Sequence, residues 1–320
     1  MKIIVCCSSE TYALPSIYML EQLGALAGVC IPDTRSKELL PQLSSFLNSE
    51  KVIVLSKESL SEQLLQLQKK HQADALMGMT FPWYISQEVI SHFPKSCWNI
   101  HFSLLPKYGG QDPVFWQIKN GERYSGYTVH QMTSEADSGP VLMQKEVQII
   151  PGEHYGMLGL RLSQQLANDA QTILSKIETS EPSPAIVADK AYWKKPTEFD
   201  RVIQWETQTA EDIQQLVNAC NPNYGGAITY FQQDTIGIFE VALVDYNVIN
   251  GIAPGTIVFA DDTNGIVVKC HNSSYLKLMV MQNQTGYLSG MKLYQMGFSQ
   301  GVRFTSIQVN HQNAASVAAH

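Results

Sequence analysis

The 320-residue sequence predicts an α/β chain in two parts: a mostly parallel sheet with helices on both faces, followed by a small antiparallel barrel. Three observations predict it. Short apolar runs alternate with segments of helical periodicity through about residue 105, the pattern of strands buried on both faces. A stretch of low periodicity with three prolines (residues 178–200) then reads as an exposed linker. Beyond it, five short strand-like runs are divided by glycine-bearing turns, as in a small closed sheet. The expected bounds are 1–180 for the first domain, 181–205 for the linker and 206–310 for the barrel.

In chain order, "KIIVCCS" (residues 2–8) is an apolar run ending in small residues, a buried strand. "LPSIYMLEQLG" (14–24) is a helix, with Pro15 suited to a first turn and Gly24 to its end. "LAGVCIP" (26–32) and "KVIVLS" (51–56) are further buried strands, and "LSEQLLQLQKKH" (60–71) repeats apolar residues at helical spacing. "ADALMGMT" (73–80) and "SCWNIHFS" (96–103) are strands on either side of the helical "SQEVISHF" (86–93). "YTVHQMT" (127–133) and "GPVLMQKEVQI" (139–149) alternate as strands, and one long helix at 156–177 closes the unit. After the linker, "TAEDIQQLVNAC" (209–220) is a helix with Thr209 at its N-cap, followed by strands at 227–231, 236–245, 255–260, 265–270 and 275–281.

The formal charge is −7, and the only basic runs are Lys69–Lys70 and Lys194–Lys195. A nucleic-acid partner normally needs a basic surplus or stripe, so it is disfavoured. Six cysteines without CxxC spacing are expected as buried free thiols. No signal peptide and no apolar stretch near the ~20 residues of a membrane span is present, so a cytoplasmic chain without membrane contact is expected. GxGxxG, GxxxxGK[ST], HExxH and GxSxG are all absent. His71, His92, His130 and His154 stand alone in sequence and read as surface or satisfied histidines.

One constellation carries chemistry. In "NIHFSLLPKYGGQDPVFW" (99–116), Asn99 and His101 stand at i and i+2 of a strand and share a face. Ligands of such sheets bind at the carboxyl ends of the strands, where this stretch begins. Asp137, in the turn-forming "SEADSGPVL", could orient the imidazole and favour its protonated form. Amide, imidazole and carboxylate together suit an acyl group attacked by a neutral nucleophile. The same residues would serve equally as a backbone-capping pair and an Asx-turn residue.

"NIHFSLLPKYGG", followed by "NGERYSGYTVHQMTSEADSGPVLMQ", resembles the formyltransferases that use 10-formyltetrahydrofolate, whose signature is Asn-x-His-x-Ser-Leu-Leu-Pro with a downstream Asp-[ST]-Gly. "SSETYALPSI" is similar to the family's first loop and helix, and "MTFPWYISQEVI" to its pterin-wrapping segment. "DRVIQWETQTAEDIQQLVNACNPNYGGAITYF", "APGTIV" and "GIVVKC" resemble its small OB-like barrel, so the resemblance covers nearly the whole chain. It implies a Rossmann-like catalytic domain, 10-formyltetrahydrofolate as donor and no metal. It assigns Asn99 to the formyl oxygen, His101 to the oxyanion or a proton relay, and Asp137 to proton removal from the amine. Phe81, Pro82, Trp83 and Tyr84 would line the pterin pocket, or form a plain hydrophobic corner. Ser103, Leu104, Leu105 and Pro106 would form the loop beside the formyl group, with the glycines letting the chain pass close to the folate.

Two departures bear on the acceptor. The region "IPDTRSKELLPQLSSFLN" has only Arg35 and Lys37 where tRNA-formylating members carry a basic insertion. "QDPVFW" replaces the commoner Arg-Gly-x-x-Pro and resembles the formylation domains of nonribosomal peptide synthetases, while "AYWKKPTEF" resembles the linker of amino-sugar enzymes. The expected reaction is therefore N-formylation of a small or carrier-tethered amine, with 10-formyltetrahydrofolate hydrolysis and methionyl-tRNA formylation as alternatives. Phe115 and Trp116 are candidates for the acceptor-side wall, or core residues of a following helix.

Overall fold

The apolar runs of the first part become strands β1 (Ile3–Cys7), β2 (Leu26–Pro32), β3 (Val52–Leu55), β4 (Ala75–Met79) and β5 (Cys97–His101) in a computed structural model. Residues 1–179, 192–247 and 250–307 are described; residues 181–191 of the expected linker lie outside them. A two-residue strand β6 (Gly109–Gly110) follows, then β7 (Tyr124–Gln131) and β8 (Val141–Gln148). The seven-stranded sheet has the order β3-β2-β1-β4-β5-β7-β8. Its first five strands are parallel, and β7 and β8 add antiparallel at one edge. β1, β2 and β4 are buried along their whole length, which is why their sequences are continuous apolar runs rather than alternating ones.

Helices α1 (Glu10–Gln22), α2 (Ser36–Ser44), α3 (Leu60–His71) and α4 (Gln87–Ser91) connect these strands. α1 starts earlier than expected, with Ser9 in extended conformation before it, so Pro15 sits inside the helix rather than in its first turn. α2 has Leu39 and Leu43 buried, one helical turn apart, on a helix otherwise polar enough to escape the sequence pattern. α5 (Pro113–Lys119) precedes β7. The helix expected at 156–177 is two, α6 (Tyr155–Asn168) and α7 (Ala170–Thr179), divided at Asp169. The Asp169 carboxylate accepts from the Tyr127 hydroxyl at 2.5 Å. β9 (Tyr192–Trp193) pairs parallel with β6.

The chain divides into two compact units. Unit one holds residues 1–114, 123–149 and 157–194; unit two holds 115–122, 150–156 and 195–320. Unit two contains α8 (Ala210–Cys220), whose first turn is closed by a reciprocal capping box between Thr209 and Asp212. Strands β10 (Ala227–Phe231), β11 (Asp234–Leu243), β12 (Ile257–Asp261), β13 (Gly265–Lys269), β14 (Tyr275–Asn283) and β15 (Gly286–Ser289) form an antiparallel sheet, ordered β10-β11-β14-β13-β12 with β15 on β14. α9 (Gly290–Gln295) follows. The end strands do not remain open: Thr305 bridges Tyr230 beside one edge and Arg303 bridges Thr256 beside the other. This closing segment satisfies edge groups that would otherwise invite pairing with another chain. Trp205 fills the interior, 1% exposed, and its indole N–H donates to Thr229 Oγ1 at 2.9 Å.

All six cysteines are free and buried. Among the described residues no helix is long and apolar enough to cross a membrane.

Candidate active site

β5 ends at the carboxyl edge of the unit-one sheet, one strand from the point where strand order reverses about β1 and β4. Asn99 and His101 occupy its last turn of the pleat and share a face. Because β7 runs antiparallel beside it, Asn99 faces His130 and His101 faces Thr128. The second strand therefore contributes two polar residues to the same patch.

His101 is 6% exposed, with both ring nitrogens engaged. Nε2 lies 2.8 Å from the Tyr108 carbonyl oxygen, which only accepts, so Nε2 carries a proton. Nδ1 lies 3.4 Å from Asp137 Oδ1. Burial drives the imidazole toward its neutral form; the Asp137 carboxylate and Tyr108 carbonyl oppose it, and the pKa ends below the ordinary histidine value. The neutral ring thus presents the Nδ1 lone pair to a carboxylate that would stabilise it once protonated.

Asp137 stands in a left-handed turn, φ +53°, which Asp tolerates better than most residues. Its Oδ2 accepts from the Gly110 N–H at 2.8 Å. Burial pushes the carboxyl up, but His130, His101 and the Gly110 N–H together outweigh it and hold the pKa at about 2. Gly139 explains the glycine of the Asp-Ser-Gly turn: a methyl group there would come 1.8 Å from the Gln131 carbonyl oxygen.

His130 belongs to the same cluster, although it reads in sequence as an isolated histidine. It is 3% exposed, its Nδ1 3.1 Å from Gln131 O. Its Nε2 lies 3.2 Å from Asn99 Nδ2 and 3.5 Å from Asp137 Oδ1. Neutral, Nε2 accepts from the Asn99 amide and fixes which end of that amide carries the donors; protonated, it donates to Asp137. Asn99 itself is half-buried, so one amide N–H remains available to a ligand.

The Ser103–Pro106 loop is tied to the sheet by one hydroxyl. Thr128 Oγ1 donates to Ser103 O at 2.7 Å, and accepts from Leu105 N at 3.1 Å and Gln144 Nε2 at 3.0 Å. Gln144 also donates to Leu105 O at 2.7 Å, and Ser103 Oγ to Lys107 O at 2.7 Å. Ser103 and Leu105 are buried, Leu104 is half-buried and Pro106 is exposed. Thr128 is fully buried, so Thr128→Val keeps the shape but strands its partners, and an unsatisfied buried polar group costs about 1–3 kcal/mol. The urea midpoint is expected to fall accordingly with an unchanged m-value; an unaltered midpoint would show that the hydroxyl does not pin the loop.

Phe81 and Trp83 meet edge to face at 5.5 Å and pack, half-buried, on the unit-one core; Pro82 and Tyr84 are exposed, Tyr84 by 59%. Phe115 and Trp116 fall in unit two, where Phe115 is fully buried against Tyr224 and Trp116 is 8% exposed. Both are among the buried hydrophobic residues.

Comparison with known proteins decides the family. The model described as "Formyl transferase" matches residues 31–176, and "Formyl transferase, C-terminal domain" matches residues 196–298. A methionyl-tRNA formyltransferase of Ruminiclostridium cellulolyticum is 30% identical over 281 residues, covering 84% of this chain and 88% of that protein. The chain belongs to the formyltransferase family.

Solved structures share the fold. The N-formyltransferase from Helicobacter canadensis, in complex with folinic acid and dTDP-3-aminofucose, superposes with a TM-score of 0.63 at 16% identity, covering 86% of this chain and 98% of that one. WlaRD, a sugar 3N-formyltransferase solved with dTDP and 5-N-formyl-THF, gives 0.61 at 16% identity, covering 89% and 98%. HypX from Aquifex aeolicus, in complex with tetrahydrofolic acid, gives 0.60 at 14% identity over 92% of this chain but only 46% of HypX. This chain therefore spans less than half of HypX's length.

Proposed function

We propose that this chain is an N-formyltransferase carrying a formyl group from 10-formyltetrahydrofolate to the amine of a small or carrier-tethered acceptor, through Asn99, His101 and Asp137. The observation that carries this reading is a buried His101 held between the Tyr108 carbonyl and an ionised Asp137, beside the half-exposed amide of Asn99. The donor fits the residues present. A pterin needs a flat apolar wall, which the Phe81 and Trp83 rings and the exposed Tyr84 can supply. Folate ligands in the Helicobacter canadensis, WlaRD and HypX structures support the same donor class.

When bound, 10-formyltetrahydrofolate supplies a formyl carbon already activated for attack by an amine. The Asn99 amide N–H not directed at His130 would donate to the formyl oxygen, where negative charge develops. His101 has its Nε2–H committed to Tyr108, so no imidazole N–H is left for that oxygen, and the relay role is favoured over the oxyanion role. Its Nδ1 takes the proton that the amine loses as the new C–N bond forms, and Asp137 stabilises the imidazolium. The proton then passes to the nitrogen released when the old C–N bond breaks.

The acceptor is read from charge and sequence. A net charge of −7 and the absence of a basic element near Arg35 and Lys37 disfavour tRNA. The 30% identity to a methionyl-tRNA formyltransferase favours it as the second reading. The deciding experiment follows tetrahydrofolate release from 10-formyltetrahydrofolate alone, with pooled amines, and with methionyl-tRNA. Release only with amines supports the proposal, and the mass of the formylated product names the acceptor. Release without acceptor would make the chain a hydrolase, and release only with methionyl-tRNA would establish the second reading.

A further inference from the structure

We propose that Trp193, in the short strand that leads from unit one toward unit two, is a positioning residue for His101 and Asp137. This rests on the reading of those two residues as the proton-transfer pair. The loop between β6 and its flanks supplies both of their backbone partners: the Tyr108 carbonyl accepts from His101 Nε2, and the Gly110 N–H donates to Asp137 Oδ2, each at 2.8 Å. Any displacement of residues 108–110 therefore disturbs the two side chains together.

Tyr108, Gly110 and Asp112 have φ of +57°, +107° and +52°, a run of left-handed residues that persists only where the surroundings enforce it. β9 is part of those surroundings. Gly110 pairs with Trp193 in parallel register, the Gln111 N–H donates to Trp193 O at 2.7 Å, and the Tyr108 ring stacks on the Trp193 indole with centroids 5.5 Å apart and planes 24° from parallel. The approach is close enough to require glycine. A methyl group on Gly110 would lie 2.3 Å from Trp193 O and 2.9 Å from Trp193 N. Gly110 thus makes room for this strand. Every contact in the chain from the indole to the imidazole lies within unit one.

The indole is the part of this arrangement that mutation can remove without touching the donor site or the catalytic side chains. Trp193→Ala deletes the stack on Tyr108, while Trp193→Phe keeps an aromatic face for it. Amine-dependent formyl transfer by Trp193→Ala is expected to show kcat reduced about ten- to a hundredfold, the range a displacement near 1 Å can cause. Donor KM is expected to stay within about twofold, because the indole supports orientation rather than binding. Trp193→Phe is expected to recover most of the rate. A second readout needs no turnover: in protein carrying 15N-labelled histidine, the Nε2–H resonance of His101, assigned by its loss in His101→Asn, should shift and exchange faster in Trp193→Ala and return toward wild type in Trp193→Phe.

An unchanged kcat in Trp193→Ala, or a loss of kcat with an unmoved His101 resonance, would overturn the proposal. If the wild-type chain transfers no formyl group to any acceptor, the functional reading fails instead. The His101 resonance would still show whether Trp193 controls the imidazole.

Discussion

Replacing His101 with alanine is expected to lower formyl transfer about a thousandfold while leaving donor affinity within a few-fold of wild type. General acid–base catalysis contributes ~10²- to 10⁴-fold, and His101 Nδ1 is a base held neutral by burial that faces an ionised carboxylate. The donor-binding residues proposed from sequence, the Phe81–Tyr84 segment and the Ser103–Pro106 loop, are not removed by this substitution. Alanine also leaves the Tyr108 carbonyl without its donor, so some stability is lost as well. His101→Gln separates the effects, since a side-chain amide can donate to that carbonyl yet takes up no proton near neutral pH. Both variants are expected to be equally slow; a glutamine variant with near-wild-type turnover would remove His101 from proton transfer.

The pH dependence follows from the same residue. The working form is neutral, and burial holds the His101 pKa below the ordinary histidine value. The rate is therefore expected to stay level as pH falls to about 6.5 and to decline only below it. The fold binds fewer protons at this site than the unfolded chain does. Stability from His101 is thus present in full above about pH 6.5 and is lost as pH falls below it. A rate that declines from pH 7.5 downward would place the group that titrates elsewhere.

Much of the first sheet was legible because its strands are buried on both faces. Continuous apolar runs delimit β2 at residues 26–32 and helical periodicity delimits α3 at residues 60–71, both as the structure has them. β6 and β9 were not legible, because a Gly-Gly and a Tyr-Trp pair carry no periodicity and their pairing is made by tertiary contact. Asn99 and His101 could be singled out by their local i, i+2 spacing, and Asp137 by its turn chemistry and the motif the sequence resembles. His130 could not, since it meets Asn99 across 31 residues of sequence through the register of β5 with β7. A signal existed. Thr128 and His130 are two apart on one strand, as Asn99 and His101 are on the other, and an antiparallel pairing stacks the two sets on one face. Phe115 and Trp116 are buried on α5, where an apolar pair opening a helix is a packing signal first.

Asp137→Asn is expected to lower transfer by about a hundredfold or more and to flatten the acid limb of stability. Asparagine accepts the left-handed backbone at φ +53°, and its oxygen can still take the Gly110 N–H, so the turn itself survives. What disappears is the negative charge. Without it, nothing stabilises the imidazolium as His101 takes the proton, and the His101 pKa falls further because its largest raising influence is gone. The plateau rate drops while the acid limb moves to lower pH. The stability effect has a definite window. A carboxyl held at about 2 against 3.8 when unfolded contributes about 2 kcal/mol, present in full above about pH 4 and lost as pH falls toward 2. Urea unfolding of the wild type between pH 5 and 2 should show that loss, and Asp137→Asn should lack it. Parallel curves for the two proteins would mean that the carboxylate is not held by its histidine neighbours, and the relay through His101 would lose its electrostatic basis.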